Sequence, residues 1–202
     1  TPFVQKAEEQ CAALESQFEN FKGCWTILEG DIRRRDLGID PDILKPIRKK
    51  IVRLWHLAAV YDLSVPLPFA YGVNVDGTQH VLDFCETLPK FERLLYISTC
   101  YIAGMRHGMC YENELDCGQD FKNHYESTKF WAEKLVQHRW DKIPTVIFRP
   151  AIVVGDSQTG ETIKGDGPYV IFQLLMRLPK WLPMVNVGTS NATVNVVPVD
   201  FL

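Results

Sequence analysis

Tyr125 and Lys129 stand four residues apart, and the run 96–104, Tyr-Ile-Ser-Thr-Cys-Tyr-Ile-Ala-Gly, precedes them in the chain. On a helix, an i,i+4 spacing puts phenol and ammonium on one face, where the cation favours the phenolate and lowers a reference tyrosine pKa of about 10. A tyrosine so tuned can hand a proton to a carbonyl oxygen. Thr99, at the end of an apolar run that reads as a buried strand, offers a hydroxyl that helps to hold the same oxygen while hydride reaches the carbon. A Tyr and a Lys at this spacing also occur on amphipathic helices that do no chemistry. The order of the neighbours adds the specificity: Ser98-Thr99 comes before the pair and Arg149-Pro150 after it.

The elements that must position these groups follow from periodicity and punctuation. Residues 4–21 read as a helix, and Trp25 to Leu28 as a short strand ending at Glu29-Gly30-Asp31. Asp40-Pro41 opens a second helix, since proline suits a first turn. A strand over 51–57 leads into Ala58-Ala59, and a helix runs from about Phe69 to Leu88. The next strand is 93–98. After a polar loop from Gly104 to about Lys122 comes the helix with Tyr125 and Lys129, ending near Trp140, and then a strand over 143–148 with Pro144 near its start. Strands alternating with helices imply βαβ units and a doubly wound parallel α/β sheet, Rossmann-like, with helices on both faces. Ligands of such sheets lie beyond the carboxyl ends of the strands, where Asp31, Ala58-Ala59, Ser98-Thr99 and Arg149-Pro150 fall.

At 202 residues and 46% hydrophobic content, the chain can build one sizeable α/β core. A net charge of −3 gives no broad basic field for nucleic acid or an anionic membrane. The basic stretch 45–53 reads as a solvated helix end complementing the dipole. The six cysteines, Cys11, Cys24, Cys85, Cys100, Cys110 and Cys117, form no CxxC pair and no zinc spacing. They read as reduced thiols of a cytoplasmic protein, with no metal site, and Cys100 as a packing residue. No segment approaches the roughly 20 apolar residues of a membrane span, and the start of the chain lacks a secretory signal pattern.

The motifs resemble those of the extended short-chain dehydrogenase/reductases. The markers are Gly30-Asp31-Ile32, His56-Leu57-Ala58-Ala59, Asn74-Val75-Asp76-Gly77-Thr78, the Ser98-Thr99 strand end, Tyr125-xxx-Lys129 and Arg149-Pro150. Gly155 to Glu161, Asp166 to Tyr169 and Asn195 to Asp200 look like the branch of alcohol-forming fatty acyl-CoA reductases and thioester-reductase domains. The resemblance implies Tyr125 as proton donor, Lys129 as the group that tunes it and holds a nicotinamide ribose, and Thr99 as the third catalytic residue, with Ser98 the neighbour to test should Thr99 prove inert. It also implies that Asp31 and Ile32 border the adenine, that Ala58 and Ala59 let the backbone approach the dinucleotide, that Asn74 sits beside the cofactor channel, and that Pro150 to Ile152 wall the nicotinamide. Arg149 reads equally as a buried structural donor or a substrate contact.

One departure stands out. The family's Gly-rich fingerprint, which cradles a pyrophosphate on backbone amides, is not found in these 202 residues. The expectation is therefore an internal piece of a longer reductase. Residues 1–155 would be a partial dinucleotide-binding domain without its first strand and loop, and 156–202 the start of a substrate region. The implied reaction is reduction of a fatty acyl-CoA or carrier-bound acyl thioester to aldehyde or alcohol with NADP, NAD being possible. The alternatives are another extended short-chain enzyme, acting on a nucleotide sugar or a hydroxysteroid, and a cofactor-sensing domain without turnover. The segment 169–176 would be a helix with core contacts or the lining of an acyl channel, and 179–183 a loop over the cleft.

Overall fold

A computed structural model describes residues 2–62, 64–162, 165, 167–179 and 194–202. Its centre is a parallel three-stranded sheet in the order β1 (Arg53–His56), β2 (Arg93–Ile97), β3 (Thr145–Phe148). Leu54 pairs with Leu94, and Tyr96 with Ile147. Parallel neighbours require crossovers, and here both are helical. The first runs through α3 (Leu67–Tyr71), a single π-helical segment (Gly72–Asp76) and α4 (Gly77–Glu86), and the second through α5 (His124–His138). The single helix read over 69–88 is therefore one helical path with a widened turn at Asn74.

The core lies between the sheet and these helices. Leu94 and Tyr96 of β2 pack against Val81, Leu82 and Cys85 of α4, Ala132 and Val136 of α5, and Ile143. Each such aliphatic side chain taken from water stabilises the fold by roughly 1.5–3 kcal/mol. Gly77 belongs to this packing: a side chain on it would meet Ile32 at 3.2 Å, so glycine lets the 30–38 segment lie close on α4.

Among the described residues, both helices packed on the core cover the same face of the sheet. The reason is topological. Two successive right-handed crossovers in the same direction, β1 to β2 and β2 to β3, deliver their helices to one side. On the other face Trp55, 58% exposed, stacks on Phe148 with ring centroids 6.1 Å apart. Helices on both faces, expected from sequence, are thus seen on one.

Two further expectations change. Trp25 to Leu28 is not a strand: no ladder partner lies beside it among the described residues, and Trp25 instead donates through Nε1 to Glu15 of α1 (Pro2–Gln17) at 2.8 Å. Apolar β-prone residues alone do not make a strand, because the ladder supplies its hydrogen bonds. The second change concerns α6 (Pro168–Arg177). Val170, Ile171, Phe172, Leu174 and Met176 are exposed, so the helix makes no core with the described residues, although Tyr169 Oη accepts a 2.6 Å hydrogen bond from Gly155 N. Beside it, β4 (Ile152–Val154) and β5 (Val196–Pro198) form a second parallel pair. Residues 180–183 of the loop read over 179–183, and Asp166 of the 166–169 motif, lie outside the described residues. No helix among the described residues is long and apolar enough to cross a membrane.

Candidate active site

The helix carrying Tyr125 is started by its own side chains. Asn123 caps α5, its Oδ1 accepting from Glu126 N at 2.9 Å, and the Glu126 carboxylate reaches back to accept from Lys122 N at 3.0 Å and Asn123 Nδ2 at 3.1 Å. This is a capping box whose pattern, Asn123-x-x-Glu126, is legible in the sequence. It fixes where the first turn begins, and so where Tyr125 and Lys129 point. Both face the carboxyl end of β2.

Thr99, just past that strand, has its hydroxyl beside that of Tyr125 and accepts from Tyr101 N at 3.3 Å as cap of the following 3₁₀ turn. Lys129 is 4% exposed; its Nζ donates to Ile97 O at 2.7 Å and to Tyr96 Oη at 3.2 Å, and lies over the Tyr96 ring. Burial dominates the electrostatics here. It lowers Lys129 to about 8, against the opposing pull of Glu133. It raises Tyr125 above the ordinary phenol value, against the lowering effect of the Thr99 hydroxyl. The expectation that Lys129 depresses the Tyr125 pKa is corrected: the ammonium is engaged by Tyr96 and Ile97, and desolvation of the phenolate prevails.

Beneath Lys129 runs a buried polar chain. The Thr78 hydroxyl, beside Tyr96, donates to Asn74 O at 2.6 Å, so His56 Nε2, 2.9 Å from Thr78 Oγ1, must be the donor to it. Burial and the Lys129 charge hold His56 at about 3, which keeps the imidazole neutral near pH 7. Asn74 Oδ1 accepts from Val60 N at 2.8 Å, while Nδ2 donates to Val60 O at 3.0 Å and to Thr128 Oγ1 at 2.9 Å. One side chain thereby ties the loop after β1 to the residue next to Lys129.

These groups border a cavity of about 1140 Å³ at the carboxyl ends of the sheet. Of the residues singled out from sequence, Ala59, Ser98, Thr99, Tyr125, Pro150 and Ile152 line it. Lys129 and Asn74 lie beneath the wall, and Ala58 is the neighbour of Ala59. Three strand ends meet there rather than four. Asp31 follows no strand; its carboxylate is gripped by Arg33, at 3.0 Å from Nε and 2.8 Å from Nη2, which holds it at about 2. Ile32 packs into the core and gives its carbonyl to His80 Nδ1 at 3.2 Å. Sequence reasoning missed Val60, Tyr61, Tyr101 and Asn123 as lining residues. Only Asn123 had a signal, the capping box.

Arg149 is resolved as a structural donor. Its guanidinium pairs with the fully buried Glu133 of α5 at 2.6 Å and donates to Glu112 O and Glu114 O at 2.9 and 3.0 Å, binding the 104–122 loop to the site helix. Gly104 begins that loop with φ +60, and a side chain there would collide with Asp120 O, so glycine is required at this turn. Cys100, beside the site, has its thiol pushed up by burial. None of the six cysteines is in a disulfide. Among the described residues, no His, Cys, Asp and Glu are grouped to hold a metal ion.

Known proteins resemble this chain in sequence and in fold. Fatty acyl-CoA reductase wat of Drosophila melanogaster is 26% identical over 200 residues, covering 87% of this chain and 39% of that protein. The terminal R domain of the myxalamid PKS-NRPS biosynthetic pathway superposes with a TM-score of 0.74 at 24% identity, over 86% of this chain and 44% of that one. A mutant UDP-glucuronic acid 4-epimerase from Bacillus cereus, solved with UDP-4-deoxy-4-fluoro-glucuronic acid and NAD, gives 0.60 at 25% identity, over 84% and 50%. The chain thus spans about two fifths of the Drosophila reductase and shares its Rossmann-like fold with reductive and epimerising proteins alike. The family described as male sterility protein, an NAD-binding family, matches residues 5–202, and the chain belongs to it.

Proposed function

We propose that this chain carries the acid–base centre of an NAD(P)H-dependent reductase acting on acyl thioesters, fatty acyl-CoA or carrier-bound. The observation that carries the reading is the pairing of the Tyr125 and Thr99 hydroxyls in the wall of the cavity, with Lys129 behind them. The relatives named fatty acyl-CoA reductases favour a thioester over a sugar nucleotide. The residues present fit the nicotinamide half of a dinucleotide: the cavity opens at the strand ends, its lining is largely apolar at Pro150 and Ile152, and a buried hydroxyl, Ser98 Oγ, awaits a partner. When bound, the dinucleotide supplies the hydride.

The protein's part is to hold the thioester carbonyl oxygen between the hydroxyls of Tyr125 and Thr99 and to release the Tyr125 proton to it as negative charge develops. Lys129, held on the Ile97 carbonyl, keeps positive charge behind the phenol and offers its remaining N–H to the ribose. Ala59, Pro150 and Ile152 keep the wall close and dry. Asn74 positions the 58–62 loop, and Asp31 and Ile32 reach the adenine side only if Arg33 releases the carboxylate. Residues 1–155 form the dinucleotide half and 156–202 begin the substrate half. NADP is preferred over NAD on the resemblance to the acyl-CoA reductase branch. Six free thiols, three of them exposed, favour a reducing, cytoplasmic setting.

The test is loss of nicotinamide absorbance when the full-length protein is given NADPH and a long-chain acyl-CoA. Oxidation matched by thiol release supports the reading. Conversion of UDP-sugars with no turnover of any acyl thioester overturns it.

A further inference from the structure

Ser98 is the one buried side chain among the described residues whose polar atom has no hydrogen-bond partner. It is 3% exposed and lines the cavity. Leaving a hydroxyl unpaired in the interior forfeits its hydrogen bonds to water, so such a group calls for an explanation. Its neighbours need none: the Thr99 hydroxyl accepts from Tyr101 N, and the Ile97 carbonyl accepts from Lys129.

The direction of the side chain narrows the choice of partner. Ser98 N bonds Phe148 O at 2.7 Å, carrying the β ladder one residue beyond β2. With a two-residue repeat, its side chain shares the face of Tyr96, and that is the face on which the Lys129 ammonium rests. Lys129 has three N–H donors, two of them given to Tyr96 and Ile97. A hydroxyl that can donate and accept therefore stands beside an ammonium that can only donate, both at the cavity end of one strand. A vicinal diol, each of whose hydroxyls both donates and accepts, matches that pair.

We infer that Ser98 Oγ is a positioning contact for the ribose diol on the nicotinamide side of the dinucleotide, shared with Lys129. The inference rests on the dinucleotide reading of the cavity and adds a residue to it. Ser98 would fix the sugar, and through it the nicotinamide ring, without touching the reacting carbon.

The experiment compares wild type, Ser98→Ala and Ser98→Thr of the full-length protein by titration with NADPH and with 2′,5′-ADP, which lacks the nicotinamide ribose. Ser98→Ala is expected to weaken NADPH about five- to thirtyfold, the worth of one buried hydrogen bond, while 2′,5′-ADP stays within about twofold. Ser98→Thr, which keeps the hydroxyl, should recover most of the loss. Without ligand, Ser98→Ala should melt at or above the wild-type temperature, since the orphan hydroxyl is gone. Unchanged NADPH affinity in Ser98→Ala, or an equal loss for both ligands, overturns the inference while leaving the dinucleotide site standing. A wild-type protein that binds neither NADPH nor NADH overturns the site reading itself, and Ser98 falls with it.

Discussion

The Lys129 Nζ donates to the carbonyl of Ile97 at 2.7 Å, one residue before the Ser98-Thr99 pair. The ammonium of α5 is thus anchored on the backbone of β2, while Tyr125, one turn earlier, meets the hydroxyl of Thr99. Phenol and ammonium share a helix face and a strand end, yet they answer to different partners.

From that arrangement and the proposed reaction, Tyr125→Phe should lower kcat of the full-length protein by about 10²–10⁴-fold, the range for loss of a general acid. The melting temperature should hold, because the phenol ring stays. Thr99→Val should cost less, since Tyr125 still holds the oxyanion. Steady-state kinetics alongside thermal melts checks both; near-normal turnover in Tyr125→Phe refutes the assignment.

Burial sets Lys129 at about 8 rather than the ordinary 10.5. The free enzyme should therefore lose kcat/KM as pH rises through about 8 and the ammonium is lost. Between about 8 and 10.5 the unfolded chain holds more proton than the folded one, so this group's contribution to stability rises with pH over that window. A pH profile of Lys129→Arg, which stays charged, should be flat where the wild type falls.

His56 gives the acid counterpart. Its folded value of about 3 lies below the ordinary 6.5, so its contribution to stability is present above 6.5 and is lost as pH falls toward 3. Melting temperatures from pH 7 to 4 should drop less steeply in His56→Gln, although that variant starts lower for want of the ring packed against Tyr96. A slope identical to wild type would count against a neutral buried imidazole.

Arg149→Ala leaves the buried Glu133 carboxylate without its cation and should destabilise by about 3–5 kcal/mol. It also frees the carbonyls of Glu112 and Glu114, so proteolysis should speed up within 104–122. Chemical denaturation and limited digestion read the two effects separately. Loss of activity with unchanged stability would instead make Arg149 a substrate contact.

Asn74→Ala should destabilise by about 1–3 kcal/mol, and Asn74→Asp by more, because it keeps the acceptor for Val60 N but buries a carboxylate against Val60 O. Loosening of the 58–62 loop should also weaken dinucleotide binding. Denaturation and titration of the two variants test this, and a silent Asn74→Asp would remove the loop-clamp role.

What the sequence by itself determined was local and periodic. The alternation of strands and helices, the i,i+4 placement of Tyr125 and Lys129, and the Ser98-Thr99 strand end were all legible, because hydrophobic period and short-range spacing are properties of the chain. Tertiary structure decided the rest. Trp25 to Leu28 has strand chemistry but no ladder partner among the described residues, and Asp31 has a guanidinium two residues away. Whether Asn74 touches a ligand or a loop depended on a π turn and on Thr128, fifty-four residues on. The pKa of Tyr125 likewise turned on burial and on where the Lys129 side chain found carbonyl and phenol partners. Such outcomes are set by which groups are desolvated together, and desolvation belongs to the packed molecule rather than to the spacing of residues along it.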